Sequence, residues 1–522
     1  LCINHWETSL FFNSSIIICY LIANQKKTYI LFKISLSIIY NLGILKETTF
    51  KKEDSSLKLT LFMRKLRRRS ERYASSHFSS IQVIVFYYLI MTIVSLGLFY
   101  IPFFREPDSH VPFIDMLFMA ISTISVTGLS TFDINSAFND NGVILLEILF
   151  QVGGLGIMMI STAFIIFSKR RITLRQRQLI MTDMNQPRLS GIVRLIRITF
   201  VILLWFQVLF GAFFSIYFYY RGYFDHWRDA LFYGFYQSIS AVTNSGFDVT
   251  GNSIEPFAHD YLFLFVIMFL IFIGGIGFPV LMEFREWILY KRSKAKLPFR
   301  FSLFTKLAVL AFIILFVGGT LLIFLLEKDH LFQDSSLSVK WINSMFYSMT
   351  TRNAGLQIHD LGNFQITTLI VFSLLMFIGC SPSSVGGGIR TTTVAIIGLY
   401  LYSFLKSEDN INIFGRRIDN DDVRKSVVVF MLSLGMCFFC IVFLSATENQ
   451  PLIAIIVEVT SAFGTTGLSL GITGNLSVIG KITIAALMFI GRIGMLYTLM
   501  LFVPKETRDL GYEYPTEKII IG

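Results

Sequence analysis

The sequence predicts an all-α integral membrane protein in which one helical unit occurs four times in the same orientation. Three observations carry this prediction. The 522-residue chain is 54% apolar and only 15% charged, whereas soluble domains carry about 25% charged residues. Eight long apolar stretches run along it. Between them lie four shorter ones, each ending in a small-polar cluster around one glycine. Such a composition excludes a cytosolic enzyme, a disordered chain and a nucleic-acid module. The formal net charge of +11 is clustered between apolar runs, which is the pattern of membrane topology rather than of polyanion binding. No nucleic-acid partner is expected.

The first methionine is Met63, in the run MRKLRRRSER. Residues 1–62 are rich in Ile, Asn, Lys and Ser, and apolar runs such as 10–23 fall short of the ~20 residues that a crossing helix needs. They are read as an upstream extension outside the fold, with an extra interfacial helix as the alternative. The expected spans are then 81–104, 148–167, 198–220, 261–282, 307–326, 361–405 (broken by Arg390), 426–447 and 482–504 (broken by Arg492). The four shorter stretches, 111–125, 227–242, 337–350 and 451–463, are too short to cross and are expected to dip into the membrane and return.

Charge sets the orientation. Basic residues crowd 64–72, 169–197 (with one acid, Asp183) and 285–306, which are therefore cytoplasmic faces. The opposite faces carry Asp108, Asp115, Asp133, Asp225, Asp248, Glu255, Asp329 and Asp334. Both termini are thus expected inside, and the dips enter from an acidic outer side that concentrates cations. The segments following the dips read SVTGLSTFD (125–133), TNSGFDVTG (243–251), RNAGLQIHD (352–360) and GTTGLSLGI (464–472). Their glycines, Gly128, Gly246, Gly355 and Gly467, follow one another at nearly even spacing. A period of about 110 residues, with span, dip and span in each, marks an internal repeat. Each unit begins and ends inside, so the four are parallel and can surround one axis, unlike the inverted halves of many transporters.

The chemistry follows from this layout. Irregular backbone at membrane depth is tolerated only when it is buried in protein or lines water. A short helix entering from outside aims its partly negative C-terminal end at the membrane centre, and four such ends favour a cation. Beyond each helix the glycine supplies backbone angles that other residues avoid and leaves no side chain in the way. Rings of backbone carbonyls can replace the hydration shell of a potassium-like ion.

On the four glycine segments, on TRNAGL (351–356) and on GCSPSSVGGGIRTTT (379–393), the chain from about Met63 to Gly522 resembles the Trk/Ktr/HKT superfamily of potassium transporters, and looks most like the Ktr-type (KtrB-like) membrane subunit. The resemblance implies M1–P–M2 units bounded at 63–178, 179–296, 297–412 and 413–522, with eight transmembrane helices, four re-entrant pore helices and one central pore. It implies a selectivity filter of Val126, Thr127 and Gly128; Asn244, Ser245 and Gly246; Asn353, Ala354 and Gly355; and Thr465, Thr466 and Gly467, holding K+ on backbone carbonyls. Each segment has one glycine where TVGYG of tetrameric channels has two, so fewer and less symmetric cation sites are expected. The resemblance further implies potassium uptake at the plasma membrane, a homodimer, and a cytosolic RCK-type nucleotide-binding ring docked on the basic loops. The nucleotide would act through that partner. No cofactor is bound directly, and Na+ is a candidate activator. The tail 512–522 is a candidate contact.

Two features inside the membrane stand out. Pro382 and Gly386, Gly387 and Gly388 cannot support a continuous helix, and Ser381, Ser383 and Ser384 supply hydroxyls. This stretch, 379–393, is read as an intramembrane gate, with a packing kink as the alternative; it lacks the GxxxxGK[ST] of a phosphate loop. Arg492 has ten uncharged residues before it and twelve after. A charge at that depth is costly and usually functional, so it is expected to face the pore below the filter or to pair with hydroxyls and carbonyls of the gate. Arg352 and Glu458 are candidates for a structural ion pair, and neither is read as an ion ligand. The clusters Gly153-Gly154-Leu-Gly156 and Gly274-Gly275-Ile-Gly277 are read as close helix packing, and Cys437 and Cys440 as packing residues. With no catalytic constellation, the chain is not read as an enzyme. The alternatives are a sodium-permeable cation transporter and a sodium-coupled solute symporter. The symporter would need a midplane pocket on broken helices, and only the sixth span reads as broken.

Overall fold

In the computed structural model the described residues are 80–502, apart from 108, 157–171, 173, 184–189, 248–252, 294–297 and 409, together with 515 and 517. The extension 1–62, basic residues 64–72 and most of the tail 512–522 lie outside them.

The described chain is almost entirely helical. Four helices are long and apolar enough to cross a membrane: α1 (Ser80–Phe99), α4 (Ile192–Arg221), α8 (Leu303–Glu327) and α12 (Asn420–Thr447). Short ones follow each of them: α2 (Phe113–Ser125), α5 (Trp227–Thr243), α9 (Leu337–Thr350) and α13 (Leu452–Gly464). At 1.5 Å per residue, their 13 to 17 residues reach only about 20–25 Å, less than a hydrocarbon core. A third set comprises α3 (Asp140–Leu155), α6 (Tyr261–Gly275), α10 (Ile366–Phe377) and α14 (Val478–Ile493). Local chemistry starts them: Asn139, Asp260 and Ser477 accept backbone N–H bonds from Gly142, Phe263 and Gly480 at the N-termini of α3, α6 and α14.

Packing brings the chain round in a closed cycle. Each short helix packs on the long helix before it. The third helix of each set packs on the short helix of the next: α3 on α5, α6 on α9, α10 on α13, and α14 back on α2. The first and last quarters of the chain therefore meet.

Several expected spans are not single rods. α6 turns by 104° into α7 (Phe278–Arg292), and α14 turns by 100° just before Met495. Between α10 and α11 (Thr391–Leu405) the chain runs as a buried loop. The expectation that only the sixth span is broken is thus corrected. The cause lies in the glycines: Gly156, Gly277 and Gly494 sit at φ 84°, 103° and 97°, angles that end a right-handed helix. The close-packing reading of the same clusters holds for their first members. A methyl on Gly153 or Gly274 would run into the carbonyl of Ile124 or Val242, and one on Gly491, outside those two clusters, into that of Phe463.

Candidate functional site

The C-terminal ends of the four short helices close in one way. An N–H bonds the carbonyl five residues back: Thr127 to Ser122 (2.9 Å), Ser245 to Ser240 (3.0 Å), Gly355 to Thr350 (3.3 Å) and Thr466 to Ser461 (2.8 Å). Such a closure requires a left-handed residue, and each segment has one: Val126 (φ 58°), Asn244 (51°), Asn353 (67°) and Thr465 (54°). Two residues later the backbone is left-handed again, at Gly128, Gly246, Gly355 and Gly467 (φ 63° to 95°).

These four glycines meet. A methyl on Gly128 would strike the Ser245 carbonyl oxygen, one on Gly246 that of Ala354, one on Gly355 that of Thr466, and one on Gly467 that of Thr127. Each glycine abuts the carbonyl of the residue preceding the next glycine, and the fourth returns to the first. The glycine and the residue before it in each segment, Thr127-Gly128, Ser245-Gly246, Ala354-Gly355 and Thr466-Gly467, therefore form one ring of backbone, and of the twelve residues expected as a filter all but Gly128 are buried. A ring of closely set backbone oxygens has the chemistry to replace water around a monovalent cation.

The loop 378–390 lies against this ring. Ile378 and Ile389 pair as a bridge, and Thr391 N–H bonds the Cys380 carbonyl at 3.2 Å. The loop is also tied to the end of α6: Ser381 N–H to the Gly275 carbonyl (3.1 Å), Val385 N–H to Gly274 (3.2 Å) and Phe278 N–H to Ser383 (2.7 Å). Methyls on Gly386 and Gly387 would collide with the side chains of Asn353 and Thr465. Gly387 N–H instead donates to Thr465 Oγ1 (2.9 Å), which also accepts from Asn353 Nδ2 (3.0 Å). Pro382 and residues 381–389 are wholly buried. Within the loop Ser384 Oγ donates to the Ser381 carbonyl (2.6 Å), Ser383 and Gly388 are left-handed, and Arg390 donates to the Gly386 carbonyl.

Arg492 reaches the loop from α14. Its guanidinium donates to the Val385 carbonyl and to those of Gly153 and Gly154 at the end of α3. It joins three regions that are far apart in sequence.

One expected contact is not made. Glu458 accepts from Ser469 Oγ (2.7 Å) and Thr473 Oγ1 (2.5 Å), while the Arg352 guanidinium lies over the Phe312 ring at 5.4 Å. The expected Arg352–Glu458 pair is replaced by these separate contacts, because the two side chains serve different walls. Sequence reasoning missed another pair: Lys481 Nζ on α14 bonds Asp115 Oδ1 on α2 at 2.6 Å, both nearly buried. A lysine inside an apolar helix start was the available signal. Asp115, expected as an outer-face charge, is a buried partner instead. Cys437 and Cys440 are buried free thiols.

Comparison with known proteins decides the family. The model described as "TrkH: Cation transport protein" matches residues 101–509. The chain belongs to the TrkH family of cation transport proteins. Among relatives, it is 42% identical to the Ktr system potassium uptake protein D of Bacillus subtilis, over 85% of this chain and 97% of that one. It is 31% identical to the Ktr system potassium uptake protein B of the same organism (85% and 97%), and 30% identical to the potassium/sodium uptake protein NtpJ of Enterococcus hirae (89% and 100%). The crystal structure of the potassium transporter TrkH from Vibrio parahaemolyticus superposes with a TM-score of 0.64 at 17% identity, over 82% of this chain and 86% of that one; the fold is shared. As a TrkH-family chain with several apolar helices, the protein is a multi-pass membrane transporter.

Proposed function

We propose that this chain is the ion-translocating subunit of a Ktr-type potassium uptake system at the plasma membrane. The carrying observation is the closed ring in which each of four glycines abuts the carbonyl of the next segment. In this reading residues 63–178, 179–296, 297–412 and 413–522 are four parallel M1–P–M2 units, with eight spans and both termini cytoplasmic. The ring from Val126–Gly128, Asn244–Gly246, Asn353–Gly355 and Thr465–Gly467 holds K+ on backbone oxygens. Residues 379–393 form the gate beneath it, with Ser381, Pro382, Ser383, Ser384 and Gly386–Gly388 at its centre. Arg492 latches the closed loop to the end of α3. Opening then requires its bonds to the Val385, Gly153 and Gly154 carbonyls to yield.

The names of the relatives support potassium as the cargo. The word "system" in them supports a separate partner subunit, taken here as a cytosolic RCK-type nucleotide-binding ring acting on a homodimer. Na+ is a candidate activator. Residues 1–62 are dispensable in this reading. A sodium-permeable cation transporter is the second reading, favoured by the potassium/sodium name of one relative.

Potassium-limited growth of an uptake-deficient bacterium tests this. The full chain and residues 63–522 are each expressed with a matching RCK-type partner. Both should restore growth at low K+. A chain that inserts in the membrane and restores growth only when Na+ is supplied in place of K+ would select the second reading.

A further inference from the structure

Arg352 has no counterpart in the other segments. The positions three residues before the other ring glycines are Ser125, Thr243 and Gly464. Its side chain is fully buried. Among the described residues Nε, Nη1 and Nη2 have no hydrogen-bond partner, and no carboxylate forms an ion pair with it. A buried, unpaired guanidinium is normally very costly, so its surroundings must offset the charge in other ways. Two features do so. The residue lies just past the C-terminal end of α9, where the helix presents partly negative carbonyls. The guanidinium also sits over the Phe312 face at 5.4 Å, an attraction that strengthens when water is excluded.

The local backbone fixes it there. Arg352 N–H bonds the Met349 carbonyl (3.0 Å), and Cys380 Sγ donates to the Arg352 carbonyl (3.3 Å). The residue therefore follows directly from the helix end and precedes the left-handed Asn353 of the ring. In the other three segments no charged residue stands at this position after the short helix. In the third, a buried positive charge follows the helix end directly.

We propose that Arg352 is a specificity-determining residue that acts through its charge without touching the ion: it weakens cation binding on the third wall of the ring, so that a bound K+ is released quickly. The inference rests on the filter reading above. A conducting site must bind strongly enough to admit the ion and weakly enough to let it leave, and a buried charge in a medium of low polarity acts over several ångströms.

The test is the K+ concentration dependence of initial uptake by the chain with its partner ring, normalised to the amount of protein in the membrane. Wild type is compared with Arg352→Gln, Arg352→Lys and Phe312→Leu. Saturable K+ uptake by the wild type tests the filter reading itself and is scored separately. Arg352→Gln should lower the half-saturating K+ concentration by roughly fivefold or more, about 1 kcal/mol, with a lower maximal rate. Arg352→Lys should keep the wild-type value. Phe312→Leu, which leaves the charge less compensated, should raise it. The proposal is overturned if Arg352→Gln reaches the membrane and shifts nothing. It is equally overturned if Arg352→Gln fails to accumulate and Phe312→Leu leaves the half-saturating concentration unchanged, because Arg352 would then be a packing residue only.

Discussion

Thr465 carries more than its size suggests. Its hydroxyl oxygen accepts from the Gly387 N–H of the loop and from Asn353 Nδ2 of the neighbouring segment. Thr465→Val keeps the shape and removes the acceptor, so the buried Gly387 N–H loses its partner, at about 1–3 kcal/mol, while Asn353 Nδ2 keeps its bond to the Gly464 carbonyl. The loop should loosen: basal K+ uptake should rise, and the melting temperature in detergent should fall. Thr465→Ser should restore both. Unchanged basal uptake in Thr465→Val would mean that ring and loop are not coupled through this hydroxyl. His359, in the segment after Gly355, offers a pH handle. Burial, and then the neighbouring His259, push its pKa below the ordinary 6.5. It packs on Phe332, and its backbone N–H donates to Tyr347 Oη at 2.9 Å. The fold keeps it neutral, so the unfolded chain binds the proton first, and stability drains as pH falls through and below about 6.5. Thermal unfolding between pH 7.5 and 5.5 should show this loss in wild type and a smaller one in His359→Gln. At this scale the ring glycines and Arg492 stood out in the sequence, because glycine takes left-handed angles at little cost and a charge at that depth is rare. The candidate Arg352–Glu458 pair is not formed. Opposite charges on neighbouring segments suggest a pair, but spacing does not reveal which wall each side chain packs on.

At the level of helices, the Lys481–Asp115 pair links the start of α14 to the start of α2, and so the last quarter of the chain to the first. Removing one partner strands a nearly buried charge, at about 3–5 kcal/mol, whereas replacing both by apolar residues of similar size is often neutral. A thermal double-mutant cycle should therefore find Lys481→Met and Asp115→Leu each strongly destabilising and the double variant near wild type. Additive losses would mean that the pair contributes no coupling. The four long helices and four short ones were legible because length and apolarity set them directly. The bends were not. Hydropathy runs unbroken through 261–282, yet Gly277 at φ 103° turns the chain. A glycine in an apolar run reads equally as a close contact or as a break, and only the neighbouring backbone decides between them. In Gly274-Gly275-Ile-Gly277 both occur three residues apart.

Across the whole molecule, the even spacing of the four glycines announced a fourfold arrangement, and the packing of each third helix on the next short helix closes it. The closure joins segments from opposite ends of the described chain. It was foreseeable only because parallel units of equal length can form a ring, whereas the order of neighbours and the docking of the loop depend on tertiary contacts. The central claim is that this ring of glycines and carbonyls selects the ion. The most direct measurement is the K+-over-Na+ discrimination of uptake by wild type and by Gly128→Ser, Gly246→Ser, Gly355→Ser and Gly467→Ser, at matched amounts of membrane protein. Each added side chain must displace the neighbouring carbonyl, so discrimination should fall on the order of tenfold, or about 1.4 kcal/mol, in all four variants. Wild-type discrimination in all four would contradict the account and move selection elsewhere in the molecule.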